Sequence, residues 1–438
     1  MSDRAGVEVI PSARRVITSL RDIGYEFAPA VADLVDNSIE AGASLVAIDV
    51  EFDGDDSWVR IADDGKGMTP DELREAMRYG SEREYDEDDL GKFGFGLKSA
   101  SMSQCRRLSV ASRTSKSRAD ITAYCWDLNH IERTNRWEIL PLEKNGLGPA
   151  VRTPLKDTTG TVVLWQQLDR ILGYSHPYGE FARKRMSQMC RELEEHLAMV
   201  FHRFLNGEAK NKTLRIMLNG NEIAPWDPFC RTEKRTKQLE KMRVKIEHEG
   251  VKSEIVIEPY ILPHQDDFSS PAEHRRASGP ANWNQQQGFY IYRANRLIQS
   301  GGWSRLRAPD EHTKLARIAL SFSPVLDEAF KINVAKMRVQ LPGSARDEID
   351  RLTGPVVRMA REAYDRKSSS SATPHTPGKV SERKKTPGSG GGADNGTDQP
   401  DSLTIEEVVK ALMAVAKDSE LAVVESIIPR LRKALRNR

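Results

Sequence analysis

One stretch constrains this chain more than any other: Gly91-Lys92-Phe93-Gly94-Phe95-Gly96-Leu97-Lys98-Ser99-Ala100-Ser101. Its three glycines free the backbone, so that successive N–H groups can turn toward the oxygens of one anion. The stretch then enters a helical pattern, whose N-terminus favours negative charge. Lys92 and Lys98 add positive charge. A plain flexible loop would not hold Phe93 and Phe95 in alternation with glycine. The spacing is neither Gly-x-x-x-x-Gly-Lys-Ser/Thr nor a dinucleotide loop directly after a first strand. The pattern therefore points to a phosphate-cradling loop of another kind, with a plain flexible loop as the alternative.

The pattern on either side supplies the layers for such a loop. Arg14–Arg21 and Phe27–Ala41 read as helices, with Pro29 tolerable in the first turn of the second. Leu45–Phe52, Trp58–Ala62, Arg107–Ser112, Ile121–Trp126 and Thr161–Trp165 read as strands. This mixture predicts an α/β layer structure. A helical pattern over Phe181–Phe204 closes the first domain or links it to the next. Leu214–Leu218, with a turn at Asn219–Gly220, Lys252–Tyr260, Gly288–Tyr292 and Ile332–Val339 are strand candidates after it. The chain has 438 residues, too many for one ordinary core. We expect domains at 1–209 and 210–366, then a linker at 367–402 whose Ser, Pro, Gly and charge cannot bury a core. In the last segment, 403–438, Thr404 and Glu407 form a capping-box pattern before Ile405, Val408, Val409, Leu412 and Val415 at helical spacing.

Composition excludes some classes. No run of about 18 apolar residues exists, so no membrane span is expected. The charged start, Met1 to Arg21, has no apolar signal core, so a cytoplasmic protein is expected. Cys105, Cys125, Cys190 and Cys230 have neither zinc-ligand spacing nor the look of a disulfide framework. The net charge is only +2, but from Arg366 onward 13 basic residues face 9 acidic ones. Such a tail is either solvated or a contact for phosphate backbones.

Two further polar sets belong with the glycine loop. Asp33, Asp36, Asn37 and Glu40 share a stripe of the second helix, opposite Phe27, Val31, Leu34 and Val35. Alone, the stripe reads as a solvated helix face, the usual explanation; the glycine loop and the motif that follows overturn that reading. Asp63-Asp64-Gly65-Lys66-Gly67-Met68 follows a strand. Its glycines permit a sharp reversal and close approach of a flat ligand, and its leading carboxylate can accept a hydrogen bond from an exocyclic amine. Alone, it fits an ordinary turn.

Taken in order, Asp-x-x-x-Asn, Asp-x-Gly-x-Gly and Gly-x-Phe-Gly-x-Gly-x-Lys-Ser resemble the GHKL superfamily, which takes in gyrase, the large heat-shock chaperones, histidine kinases and MutL. The wording GKFGFGLKSASM, GTVVLW at Gly160–Trp165 and GFYIYRANRLI at Gly288–Ile298 looks most like its MORC branch. KINVAKMRV, at Lys331–Val339, resembles the transducer segment of MutL. The resemblance covers about residues 14–340. It implies a GHKL (Bergerat) ATP-binding sandwich, α/β in class, then a transducer domain like ribosomal protein S-five, a disordered linker and a short helical tail.

The resemblance also implies roles. Asn37 would ligate Mg²⁺, and Asp63 would bind the adenine amino group. Gly65 and Gly67 would let the purine lie close, with Ala41 and Met68 in the same nucleotide-binding set. Gly91, Lys92, Phe93, Gly94, Phe95, Gly96, Leu97, Lys98 and Ser99 would wrap the phosphates. Thr161 would support the adenine end, and Lys336 would reach the γ-phosphate. An exposed strand lysine is the alternative for Lys336. Asp33 stands where the family usually has the Glu that deprotonates the attacking water. Asp is one methylene shorter, so the carboxylate sits about 1 Å or more farther away, and such misplacement can cost about 10²-fold. The implied activity is Mg²⁺-dependent ATP binding with slow hydrolysis and an ATP-gated homodimer clamp, in a DNA-linked role of defence or maintenance at the nucleoid. A MutL-like mismatch-repair ATPase and a nucleotide-gated scaffold without turnover are the rivals. DNA, and a protein docking on the C-terminal helices, are the further candidate partners.

Overall fold

A computed structural model describes residues 9–22, 25–80, 96–115, 121–143, 147–209, 213–332 and 339–370, the side chains of the last four excepted. Gly91 to Phe95, Lys336, most of the Ile332–Val339 strand candidate, the linker from 371 and the tail at 403–438 lie outside the described residues.

The chain opens with α1 (Ala13–Arg21) and α2 (Phe27–Glu40). Pro29 falls in the first turn of α2, where the missing N–H has no intrahelical partner to lose. The helix stops at Ala41, and Gly42 follows at φ 72°, the left-handed conformation that glycine takes without strain. Then come β1 (Leu45–Glu51), β2 (Trp58–Asp63), α3 (Pro70–Met77), α4 (Gly96–Met102), β3 (Arg107–Arg113) and β4 (Thr122–Asp127). They are followed by α5 (Leu128–Thr134), β5 (Leu140–Pro141), α6 (Pro149–Arg152), β6 (Gly160–Gln166), α7 (Glu180–Val200), α8 (His202–Leu205), β7 (Arg215–Leu218) and β8 (Asn221–Glu222). Their strands form one sheet in the order β5-β4-β3-β6-β2-β1-β7-β8. Neighbours are antiparallel except β1 and β7, which run parallel. The strands after residue 210 thus complete the edge of the first sheet.

Period-two alternation sorts the side chains of this sheet. Val59, Ile61, Val110, Val163 and Trp165 join Val31, Leu34, Leu193 and Leu197 of α2 and α7 in the main core. Ala62, Ala111, Val162 and Leu164 turn to the other face, against Val151 and Leu155.

A second sheet gathers β9 (Lys237–Gln238), β10 (Met242–His248), β11 (Val251–Ile261), β12 (Gly288–Arg293), β13 (Arg296–Ser300) and β14 (Ala316–Phe322), with α9 (Pro271–Ala277) before β12 and α10 (Gly343–Ser370) at the end. Its order is β10-β11-β14-β12-β13, with β9 beside β11. Phe289 and Ile291 pack with Ala345, Ile349 and Val356 of α10. Tyr290, Tyr292 and Leu297 belong to the same core as Phe201 and Phe204 after α7. The two sheets are therefore joined through one continuous apolar layer. Among the described residues, no helix is long and apolar enough to cross a membrane.

The alternative of a solvated face on α2 fails for its two aspartates. Asp33 is 3% exposed and Asp36 is fully buried, because α2 lies among β2, α4 and α7. Only Asn37, Glu40 and Ala41 keep partial exposure at its C-terminal end.

Candidate functional site

The end of α2 and the end of β2 meet at one carboxylate. Asp63 Oδ1 accepts hydrogen bonds from the N–H of Gly65 (3.0 Å) and the N–H of Thr161 (3.2 Å). Its Oδ2 accepts from the Ser38 hydroxyl at 3.1 Å. Three elements, α2, β2 and β6, thereby fix the orientation of this group. Burial pushes the Asp63 carboxyl above the ordinary carboxylate range, although these three hydrogen bonds oppose the shift. Its neighbour Asp64 behaves in the opposite way. Burial raises it too, but the Ser44 side chain and the N–H groups of Leu45 and Ser44 outweigh this and hold it low. Asp64 is thus committed to anchoring the start of β1, and Asp63 ties the ends of α2, β2 and β6 together.

The glycines beside Asp63 answer to the chain itself. A Cβ on Gly65 would come 2.8 Å from the Cβ of Ala41, and Lys66 N–H donates to the Ala41 carbonyl at 3.0 Å. Gly67, at φ 70°, would bring a Cβ 2.1 Å from the Arg113 carbonyl. Around them, the Ser112 hydroxyl accepts from Met68 N–H (2.8 Å), donates to the Gly160 carbonyl (2.9 Å) and lies 3.0 Å from the Thr161 hydroxyl. The structure therefore brings Asn37, Ala41, Asp63, Gly65, Gly67, Met68 and Thr161 into one region. Ser38 and Ser112 are additions that no motif announced, since a serine beside a helix asparagine or at a strand end has no distinctive spacing.

Beyond the undescribed stretch that holds Gly91 to Phe95, the chain resumes at Gly96 and Leu97 in α4. Ser99 is buried in this helix. Lys98 is also buried there, and its ammonium donates to the Ala76 carbonyl of α3 at 3.0 Å. Burial lowers its pKa to about 8, with Glu75 nearby opposing the shift.

Farther down α2 lies a charged cluster. The Tyr25 hydroxyl donates to Asp33 Oδ2 at 3.1 Å. Arg296, from β13, reaches Asp36 through Nε at 2.8 Å and Asp33 through Nη2 at 3.4 Å. Asp33 thus sits one turn before Asn37 on the helix but faces inward. Neither Arg296 nor Tyr25 carries a sequence signal, because their partners lie 260 residues and 8 residues away respectively.

With this geometry in hand, residues 25–161 match a family model described as "Histidine kinase-, DNA gyrase B-, and HSP90-like ATPase". Similar proteins include the DNA mismatch repair protein MutL of Shewanella baltica (strain OS185), 34% identical over 114 residues. That match takes in 25% of this chain and 18% of the relative. MutL of Shewanella sp. (strain MR-4) is 34% identical over 125 residues, 27% of this chain and 19% of the relative. MutL of Halobacterium salinarum is 43% identical over 72 residues, 16% of this chain and 11% of the relative. The chain thus matches about a fifth or less of these relatives' length.

Proposed function

Residues 25–161 are a domain of the GHKL ATPase superfamily, and from that premise we propose that the chain binds Mg²⁺–ATP between α2, β2 and the Gly91–Ser99 loop and hydrolyses it slowly. The observation that carries this reading is the Asp63 carboxylate, held by Ser38, Gly65 and Thr161 and raised by burial. Such a group accepts well from an adenine amine, whose donors replace the water that burial removed.

The residues near Asp63 divide the remaining work. Ala41, Gly65, Gly67 and Met68 line the purine end, and Thr161 supports it. The half-buried Asn37 amide has no hydrogen bond among the described residues, and its oxygen suits a hard cation. Mg²⁺ bound there would neutralise phosphate charge. Gly91, Lys92, Phe93, Gly94, Phe95, Gly96, Leu97, Lys98 and Ser99 wrap the phosphates. Asp33 takes the proton of the attacking water, and Lys336 meets the γ-phosphate from the second domain. That contact exists with ATP and not with ADP, so it shifts the population toward a closed N-terminal dimer.

The MORC-like wording of the loop and of Gly160–Trp165 supports a DNA-linked role in defence or maintenance. The MutL names of the relatives favour mismatch repair as a second reading. The burial of Asp33 against Arg296 favours a third, a nucleotide-gated scaffold without turnover.

Phosphate release at saturating ATP tests the reading. Wild type turns over, and Asp33→Ala still binds ATP but loses about 10²–10⁴-fold in rate, the usual range for a general base. Wild-type turnover in Asp33→Ala removes Asp33 from the mechanism. No turnover in wild type, with ATP bound, leaves the scaffold.

A further inference from the structure

The second sheet sends two arginines out of one tight turn. Arg293 and Arg296 pair across the β12–β13 turn, where Ala294 and Asn295 both take positive φ, 45° and 70°. Arg293 grips Asp327 in two parallel hydrogen bonds, Nε to Oδ1 at 2.7 Å and Nη2 to Oδ2 at 2.8 Å. Both groups are buried. Asp327 in turn ties down the chain that follows it, because its carbonyl accepts from Ile332 N–H at 3.1 Å. Gln340 N–H then donates to the Phe330 carbonyl at 2.8 Å.

The other arginine points to the nucleotide helix. Arg296 is 3% exposed and lies among the carboxylates of Asp33 and Asp36. Two buried carboxylates three residues apart on a helix need a compensating cation. A planar guanidinium can serve both at once, which a single ammonium cannot. The remaining oxygen of Asp33 is held by Tyr25, whose own carbonyl accepts from the Gln104 amide at 2.7 Å. The orientation of Asp33 is therefore set from outside its own helix.

We infer that Arg296 is a positioning residue for the ATPase site: from the β12–β13 turn, which the Arg293–Asp327 pair anchors, it sets the direction of the Asp33 carboxylate on α2. The inference rests on the ATPase reading above. It also explains how a short Asp can serve where a longer side chain is usual. The carboxylate has little reach of its own, so a fixed second-sheet cation defines where it points, and misplacement of about 1 Å can cost about 10²-fold.

The test uses the full chain and three variants, Arg296→Lys, Arg296→Met and Asp33→Ala, with ATP turnover, ADP affinity and thermal melting measured for each. Arg296→Lys keeps the charge and the fold but loses the two-carboxylate bridge. We expect its kcat to fall about 10-fold or more, with KM and ADP affinity within error of wild type, while melting falls modestly because one buried carboxylate loses its partner. Arg296→Met falls further in kcat, so that Lys is a partial rescue. A folded Arg296→Lys with wild-type kcat overturns the inference, as does an equal loss of kcat, ADP affinity and melting. Turnover that survives Asp33→Ala instead overturns the base assignment beneath it. Turnover lost in Asp33→Ala yet intact in Arg296→Lys overturns the positioning role alone.

Discussion

Asp63 holds its carboxylate against a preference for the proton. Burial raises its folded-state pKa above the unfolded value of about 3.9, so the folded chain binds that proton to higher pH than the unfolded chain does. Stability from this group therefore rises as pH falls through the raised folded value and is complete below the unfolded one. At neutral pH the charge is a cost, which an adenine amine would offset in the function proposed above. Asp63→Asn removes it: Oδ1 keeps the Gly65 and Thr161 bonds, and the new amide donates to Ser38. We expect Asp63→Asn to melt at or above wild type at pH 7, while ATP affinity falls roughly 10–100-fold, the worth of a hydrogen bond to a charged acceptor. Calorimetric titration alongside melting decides it, and unchanged affinity removes Asp63 from the adenine contact. Gly160 is a residue of another kind. At φ 141° its Cβ would lie 1.9 Å from the Asp63 carbonyl, so Gly160→Ala should force β6 off β2. The expected cost is about 2–4 kcal/mol, read as a lowered melting temperature together with weaker ATP binding.

Elements whose ends carry strong local chemistry were readable in advance. The helix at Phe27–Glu40 and strands β1, β2, β3, β4 and β6 fall within a residue or two of their expected ranges, since apolar period and turn residues agree there. The strand at Val251–Ile261 was read, but its hairpin partner Met242–His248 was not, because Arg243, Lys245 and Glu247 make its exposed face a charge run. The helix α3 went unread although Thr69-Pro70-Asp71-Glu72 spells its start. Thr69 and Glu72 form a full capping box, with Pro70 at the first helical position. This helix supplies the Ala76 carbonyl that receives Lys98, so its stability bears on how Lys98 is held in α4. Thr69→Ala should cost about 1 kcal/mol, the usual worth of such a cap. Hydrogen exchange localised to Pro70–Met77 checks this, and exchange that is unchanged there would show the cap to be idle.

At the level of the molecule, the two sheets share a core, so a contact made by one can be felt by the other. Tyr290, Tyr292 and Leu297 of the second sheet lie in the same apolar cluster as Val31, Leu34 and Leu197 of the first. A ligand shifts such a pair of states only by its differential affinity. Lys336, if it meets the γ-phosphate, supplies that difference. Lys336→Ala should therefore leave ADP affinity within about 2-fold of wild type and abolish the preference of the closed state for ATP. Sedimentation of the full chain with ADP and with a slowly hydrolysed ATP analogue, each with and without DNA, measures this. Equal losses for both nucleotides would assign Lys336 to the fold instead.

The sequence by itself pointed to the superfamily whose model matches residues 25–161 and to the carboxylate–glycine turn at the end of β2. Asp63, Gly65 and Gly67 are local, since a glycine or carboxylate within a few residues of a strand end keeps the same meaning wherever that strand packs. The tertiary structure decided the rest. Asp33 and Asp36 by themselves read as a solvated stripe, because helical spacing shows which residues share a face and not what covers it. What covers this one is Arg296, 260 residues away in the chain. A buried ion pair between distant residues leaves no periodicity and no motif, and its partners meet only when both sheets have formed.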